Sequence, residues 1–298
     1  MNHTAKEILI KTVEKIEGAY APSTIRAYRS NFEAFIKYCH ENNVIAFPAQ
    51  PENVAQYIKN LSCGRLKSSS IKIAVASIAA IHNLNSIHDP TEHPDVKIEM
   101  RRMYRTLGRY AKQAYGINRD LLKKMVTATD NSLRGIRDKT ILLVAYDGLC
   151  RRSELISLKF EDVLIDKKNE GVKLKLQKSK TDPHGMGKWL YLSLETQIAI
   201  KNWLEASGIR SGKLLRGISV NGKISDNLTS SQIGRIYKKI ARTLKIDPDT
   251  IRMISSHSIR IGAAQDLLQT GKSFPEIMNR GRWSKIDTVM RYAENTQY

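Results

Sequence analysis

"GVKLKLQKSKTDPHGMGKWLYLSL", residues 171–194, interrupts an otherwise helical rhythm. Val172, Leu174 and Leu176 alternate with Lys173 and Lys175, the period of two that a strand with one buried face requires. KTDPHGMG supplies turn chemistry and KWLYLSL a return strand, so Lys180 falls where the hairpin enters its turn. On either side, apolar residues recur at three and four. NRDLLKKMVTAT and GIRDKTILLVAYDGLCRRSELISLKF read as helices before the hairpin, and SSQIGRIYKKIARTL as one after it. The fold class is therefore mainly α with a small antiparallel β-sheet in the second of two domains.

The first domain carries the helical period alone. From Pro22 to about Arg109 it runs through STIRAYRSNFEAFIKYCHENN and SSSIKIAVASIAAIHNL, broken at FPAQPEN and HDPTEHPD. Ser23 is the expected N-cap of its first helix, and PENVAQYIKNL opens another with a proline where a missing N–H is harmless. The pattern lapses around GRYAKQAYGINRDLLKKM, and a new helix is expected to start at Asn118 or Arg119. The organisation read from this is an N-terminal segment (1–20), a helical domain (21–110), a linker (111–118) and a second domain (119–298).

Composition narrows the partner. Lys and Arg number 49 against 29 Asp and Glu, a formal charge of +20 with a sequence pI near 9.8, which points to a polyanion. Hydrophobic residues at 41% exclude a disordered chain. The three cysteines, Cys39, Cys63 and Cys150, have no metal-ligand spacing and fit a reducing compartment, and no metal is expected. The start of the chain lacks a signal-peptide core, and no apolar run approaches the roughly 20 residues that span a bilayer. A cytoplasmic, nucleoid-associated protein without membrane contact is expected.

Three further stretches carry chemistry. SSHSIRIGAAQDL (255–267) places His257 and Arg260 on one helical face, with Ser255 or Ser256 able to cap the helix and favour an anion at its start. DGLCRRSELISLKF sets Arg151 and Arg152 inside an apolar helix with Glu154 close behind; one arginine is expected to face in and the other out. SFPEIMNRGRWSKIDTVMRYAEN shows two capping boxes, Ser273 with Glu276 and Ser284 with Asp287, with Trp283 before the second helix and Tyr292 on it. Each feature has an ordinary use when taken alone. His257 and Arg260 can be a solvated helix end, Arg151 and Glu154 a pair within one helix, Trp283 a core anchor.

Together and in order, the Arg of LCRRSEL, the hairpin Lys, HSIRIGAAQDL, the Trp of GRW and a Tyr nine residues later resemble the tyrosine site-specific recombinases and phage integrases. The resemblance runs over nearly the whole chain, through FPAQPENVAQYI and AKQAYG as well. It implies a two-domain DNA clamp, with 21–110 as the core DNA-binding domain and 119–298 as the catalytic domain. It makes Arg151 the first catalytic arginine, Glu154 the acidic member of the pocket, Lys180 the hairpin lysine, His257 and Arg260 the His-x-x-Arg pair, and Tyr292 the nucleophile. Trp283 takes a place where many relatives have a second histidine. Arg152 stands where the family usually has an apolar residue.

The implied reaction is cleavage and rejoining of DNA through a 3′-phosphotyrosine, exchanging strands between two sites. Two guanidinium groups suit the charge that builds on the non-bridging phosphate oxygens. A free tyrosine with a pKa of about 10 is scarcely ionised at neutral pH, so His257 assists as base or as phosphate donor, and Lys180 protonates the leaving oxygen. The indole of Trp283 can donate but cannot act as a base. Tyr298, at the terminus, is assigned no catalysis. No ATP, metal or nucleotide cofactor is implied, and neither a P-loop nor a carboxylate cluster is present.

In the first domain the DNA contacts implied are Arg26 and Arg29 on one helix and Lys67 and Lys72 on another. In the second they are Gln232 toward base edges, with Arg235, Lys238 and Lys239 toward phosphates. The resemblance further implies double-stranded DNA with a specific site as partner, with a homodimer per site and a tetramer in synapsis. The six residues after Tyr292 are expected to be too few for the C-terminal helix that relatives exchange. Two other readings stay open: a type IB topoisomerase-like nicking and closing enzyme, and a non-catalytic basic DNA-binding protein.

Overall fold

Two hydrophobic clusters form, one on each side of residue 112, and the chain divides accordingly into compact units Met1–Lys112 and Gln113–Tyr298. The computed structural model describes residues 2–109, 113–166, 171–177, 186–226 and 228–294.

The first unit contains α1 (Asn2–Ile16), α2 (Pro22–Glu41), α3 (Pro51–Cys63), α4 (Ser68–Leu84) and α5 (Pro94–Leu107). The N-terminal segment thus belongs to this unit's helices, since Ala5, Leu9 and Val13 of α1 enter the same core as Phe32 and Phe35 of α2 and Ile71 and Ile78 of α4. Burial of each such large side chain contributes about 1.5–3 kcal/mol. Helix α2 begins two residues earlier than its serine suggests. Pro22, with φ already set for a helix, takes the first position, Ala21 is the N-cap, and Ser23 lies inside. Within the core, His82 is fully buried. Its Nε2 accepts from the Ala49 N–H at 2.9 Å and its Nδ1 faces Ile78 O at 2.8 Å, so the ring is neutral, and burial holds its pKa below the usual value.

The second unit opens with α6 (Arg119–Thr127), capped by Asn118, whose Oδ1 accepts from the Leu121 N–H at 3.0 Å. It continues with α7 (Leu133–Asp147) and α8 (Arg152–Ser157). The sequence reads these last two as one helix; the structure breaks them apart. Leu149 adopts φ 44 after Gly148, α7 ends, and Arg151 becomes the N-cap of α8 in extended conformation. Arg151 is therefore not inside a helix, as the periodicity suggests, but at a corner between two.

The sheet comprises β1 (Val163–Ile165), β2 (Val172–Leu176) and β3 (Lys188–Leu190), antiparallel in that order, with Leu174 opposite both Val163 and Leu190. Val172, Leu174 and Leu176 point inward as their alternation requires, while Lys173 is exposed. Lys180 lies outside the described residues. There follow α9 (Leu194–Ser207), a small hairpin of β4 (Gly217–Ile218) and β5 (Ile224–Ser225), α10 (Ser230–Thr243), α11 (Pro248–Met253), α12 (Ser258–Gln269), α13 (Phe274–Gly281) and α14 (Ile286–Glu294). Strands β1, β4 and β5, of two or three residues each, are too short for a period to reveal.

Helix α7 is buried without interruption from Thr140 to Asp147 and forms the axis of the unit. Asp266 of α12 accepts from the Tyr146 hydroxyl at 2.5 Å and from the Arg119 N–H at 2.8 Å, tying α12 to α7 and to the start of α6. The segment before α6 lies along α11 and α12, with Tyr115 N–H on Met253 O (3.1 Å) and Ile117 N–H on Ser258 O (2.9 Å). Gly262 permits this approach, since a Cβ there would lie 2.0 Å from Ile117 O. Among the described residues no helix is long and apolar enough to cross a membrane.

Candidate active site

Glu154 is the centre of the pocket. It is 3% exposed and occupies the third position of α8, from which its Oε2 reaches back to the Arg151 N–H at 2.8 Å, the N-terminal half of a capping box. Its Oε1 accepts from Arg151 Nη1 at 2.6 Å, and its Oε2 also accepts from Arg282 Nη2 at 2.8 Å. Arg260 stands 4.0 Å away. Burial pushes the carboxyl pKa up, but Arg282 and Arg151 outweigh it, so Glu154 is held below the ordinary value and is ionised. Arg151 turns inward and Arg152 outward, which decides a choice the sequence leaves open.

The end of α7 gathers guanidinium groups. Arg260 donates to Leu149 O, Arg282 Nη2 lies 3.0 Å from both Gly148 O and Leu149 O, and Arg280 Nη2 lies 3.4 Å from Asp147 O. These are the unpaired carbonyls at the negative end of the helix dipole, where cations are favoured. Arg260 also donates to Gly281 O, and its guanidinium lies 4.2 Å from the Trp283 ring centroid. It is 2% exposed; burial first, and Arg151 next, lower its pKa to about 9, which leaves it charged at neutral pH.

Trp283 meets Tyr292 edge to face, with ring centroids 5.6 Å apart at 60°. Tyr292 is half-buried on α14, and its carbonyl accepts from Gln265 Nε2 of α12 at 3.3 Å. A Cβ at Gly281 would lie 1.9 Å from Trp283 Cζ3, so the indole packs on the bare backbone of α13. Of the two expected capping boxes, that of Ser273 and Glu276 forms, with the Ser273 N–H on Glu276 Oε2 at 2.9 Å. The other does not: α14 begins at Ile286, with the Thr288 N–H on Lys285 O at 3.3 Å, one residue later than Ser284 would start it.

His257 is itself the N-cap of α12, in place of Ser255 or Ser256, and its exposed ring makes no cap bond. Ser255 instead accepts from the His257 N–H at 3.1 Å. Desolvation on the ring's inner side, then Arg260, Arg152 and Arg151, lowers its pKa, so the imidazole is neutral at pH 7 and has a lone pair to accept a proton. Arg151, Glu154, Arg260, Trp283 and Tyr292 thus form one connected set, with His257 at its edge.

The expected DNA-contacting residues are distributed as follows. In the first unit Arg26 and Arg29 are exposed on α2, Lys72 on α4, and Lys67 at the N-cap of α4. In the second, Arg235 and Lys239 are exposed on α10, opposite buried Ile233, Ile236, Tyr237 and Ile240. Lys238 Nζ donates to Arg252 O at 3.1 Å. Gln232 Oε1 accepts from the Thr229 N–H at 2.6 Å and so caps α10. The pocket residue that sequence reasoning missed is Arg282. It is buried, at φ 57 in the left-handed region, where glycine is the usual occupant and where the sequence offers Gly281 one position too early.

The pocket thus joins a tyrosine packed on a tryptophan to two inward-facing arginines, with a neutral histidine at its edge, a concentration of positive charge that suits a phosphate group. The chain belongs to the phage integrase family: residues 117–298 match the phage integrase family, and residues 15–84 match the phage integrase N-terminal SAM-like domain. It is 27% identical over 295 residues to recombinase cre of Escherichia phage P1, covering 93% of this chain and 85% of that protein. It is 26% identical over 300 residues to an integrase/recombinase xerD homolog of Selenomonas ruminantium, covering 97% and 86%. Among solved structures, the Tn1549 transposon integrase in complex with transposon right end DNA has the same fold (TM-score 0.70, 11% identity, 97% of this chain and 94% of that one). So does a lambda integrase dimer bound to a COC′ core site (TM-score 0.64, 13% identity, 98% and 78%).

Proposed function

We propose that this tyrosine recombinase cleaves and rejoins DNA at a specific site through Tyr292. The phenol oxygen attacks a backbone phosphorus, a Tyr–O–P bond forms, and the P–O5′ bond breaks, leaving a 3′-phosphotyrosine and a 5′-hydroxyl. Arg151 and Arg260 carry the charge that grows on the non-bridging oxygens. Neutral His257 takes the phenolic proton or donates to the phosphate, and Lys180 protonates the departing oxygen. Trp283 packs against both Arg260 and Tyr292. The bond energy is kept in the phosphotyrosine, so a 5′-hydroxyl from a second duplex reverses the attack and completes strand exchange without ATP or metal.

The observation that carries this reading is the indole of Trp283, which lies between the buried Arg260 guanidinium at 4.2 Å and the Tyr292 ring at 5.6 Å. This proximity supports a pocket shared by the nucleophile and the charge clamp. Double-stranded DNA is the partner that the charge of +20 fits, with Arg26, Arg29, Lys67, Lys72, Arg235 and Lys239 as exposed contacts. A dimer per site and a tetramer at synapsis follow from exchange between two sites, as does work at the nucleoid.

The test starts by selecting random duplex DNA on the full chain to recover a binding site, which is then nicked and incubated with protein. A covalent protein–DNA band on a denaturing gel is expected, and Tyr292→Phe abolishes it. A band that survives this substitution refutes the assignment. Substrates with two sites then separate strand exchange from simple relaxation by a topoisomerase-like enzyme.

A further inference from the structure

Arg282 lies outside the set that holds the phosphate and the nucleophile, yet it bonds to several members of the pocket. We infer that Arg282 is a positioning residue, which orients Arg151 for the scissile phosphate by holding Glu154 and by offering its own carbonyl. The inference rests on the strand-cleavage reading above. Arg282 Nη2 meets Glu154 Oε2 at 2.8 Å, while Arg282 O accepts from Arg151 Nη2 at 2.9 Å. Arg151 is thereby gripped on two donors, by Glu154 on Nη1 and by the Arg282 carbonyl on Nη2. A planar fork held at two points has its remaining edge fixed in direction.

The guanidinium of Arg282 also sets the charge state of the carboxylate on which this grip depends. The titratable and charged groups facing Glu154 are Arg151 on α8, Arg260 and His257 on α12, Cys150 in the turn after α7, and Arg282 after α13. Burial raises the Glu154 pKa, and the charge of Arg282 is the largest single influence that brings it down again, followed by the hydrogen bonds and charge of Arg151. Without that guanidinium, Glu154 takes up a proton at higher pH. One of its oxygens then stops accepting, and Arg260, 4.0 Å away, becomes the nearest replacement for the lost cation. Both changes turn arginines away from the phosphate.

A purely structural role, closing the end of α7 through Gly148 O and Leu149 O, makes a different forecast. Because residue 282 sits at φ 57, Arg282→Gly keeps the backbone turn and removes only the side chain. The experiment follows the rate of covalent-complex formation at saturating protein, from pH 5 to 8, on the nicked duplex recovered by selection, alongside DNA affinity and thermal melting. For Arg282→Gly the rate at saturation is expected to fall about 10- to 100-fold with affinity retained, the loss that a misplacement of about 1 Å produces. The acid limb of the profile moves to higher pH, and Arg282→Lys restores the limb but only part of the rate.

A wild-type rate with an unmoved acid limb in Arg282→Gly overturns the inference, as does a loss of melting temperature and affinity with the saturated rate intact. If the glycine variant melts early, Arg282→Gln, neutral and close in size, is held to the same criteria. Absence of a Tyr292-dependent band in the wild-type protein overturns the cleavage reading, and this inference with it; a normal wild-type band with an indifferent Arg282→Gly overturns this inference alone.

Discussion

Replacing Glu154 with glutamine removes one negative charge and changes almost no volume, so its effect isolates the pocket's electrostatics. The carbonyl of the new side chain can still accept at the Oε2 position, from the Arg151 N–H and from Arg282 Nη2. The amide nitrogen then takes the Oε1 position, where Arg151 Nη1 donates at 2.6 Å, and donor meets donor. Three guanidinium groups, of Arg151, Arg260 and Arg282, are left without a buried anion. Breaking a buried ion pair at one partner costs about 3–5 kcal/mol. For a unit the size of residues 113–298, each kcal/mol lowers the melting temperature by roughly 2–4 °C, so Glu154→Gln should melt about 6–20 °C below the wild type at pH 7. The pH dependence follows from linkage. The folded pKa of Glu154 lies below its unfolded value, so the carboxylate's contribution is complete above about pH 4.3 and declines as pH falls through the folded pKa. The gap between the two proteins, measured by calorimetry across pH, should therefore narrow on acidification. A variant that melts within a degree of the wild type at pH 7, or a gap that widens in acid, refutes the assignment of Glu154 as the anion holding these arginines.

Two other sites make independent forecasts. Gly262→Ala drives a methyl to 2.0 Å from Ile117 O, a backbone atom, so α12 and the 113–118 segment must part; about 1–3 kcal/mol or more is expected to be lost, read by urea denaturation, and an unchanged midpoint would contradict the close approach. In the first unit, burial lowers the pKa of His82, so the unfolded chain binds its proton more readily; stability falls as pH drops below about 6.5, and His82→Gln should flatten that dependence in denaturant titrations of the full chain.

What could be read from the sequence was what depends on neighbours along the chain. The alternation at 172–176 gave β2 because the pleat imposes a period of two whatever packs above it, and the capping box at Ser273 formed because its bonds close within one turn. Local rules failed where distant groups decide the backbone. The apolar run of 141–146, resumed at Leu149 and Cys150, hides the end of α7, since Leu149 turns to φ 44 and its carbonyl serves Arg260 and Arg282, 111 and 133 residues away. The same holds for Arg282. Its partner Glu154 is 128 residues distant, and nothing near position 282 in the sequence marks it as a pocket residue. The inward choice of Arg151 over Arg152 likewise comes from the corner that makes Arg151 the N-cap of α8.

The arginines at the end of α7 rest on Asp147 O, Gly148 O and Leu149 O, which are main-chain atoms. The pocket therefore takes only main-chain atoms from these three positions, while their side chains answer to other partners: Asp147 Oδ2 accepts from the Ser193 N–H at 2.7 Å, and a Cβ at Gly148 would lie 2.9 Å from Val144 O. Length is a different matter. A single residue inserted or deleted between α7 and α8 would displace all three carbonyls and the Arg151 corner at once. Among homologues this joint should refuse changes of count.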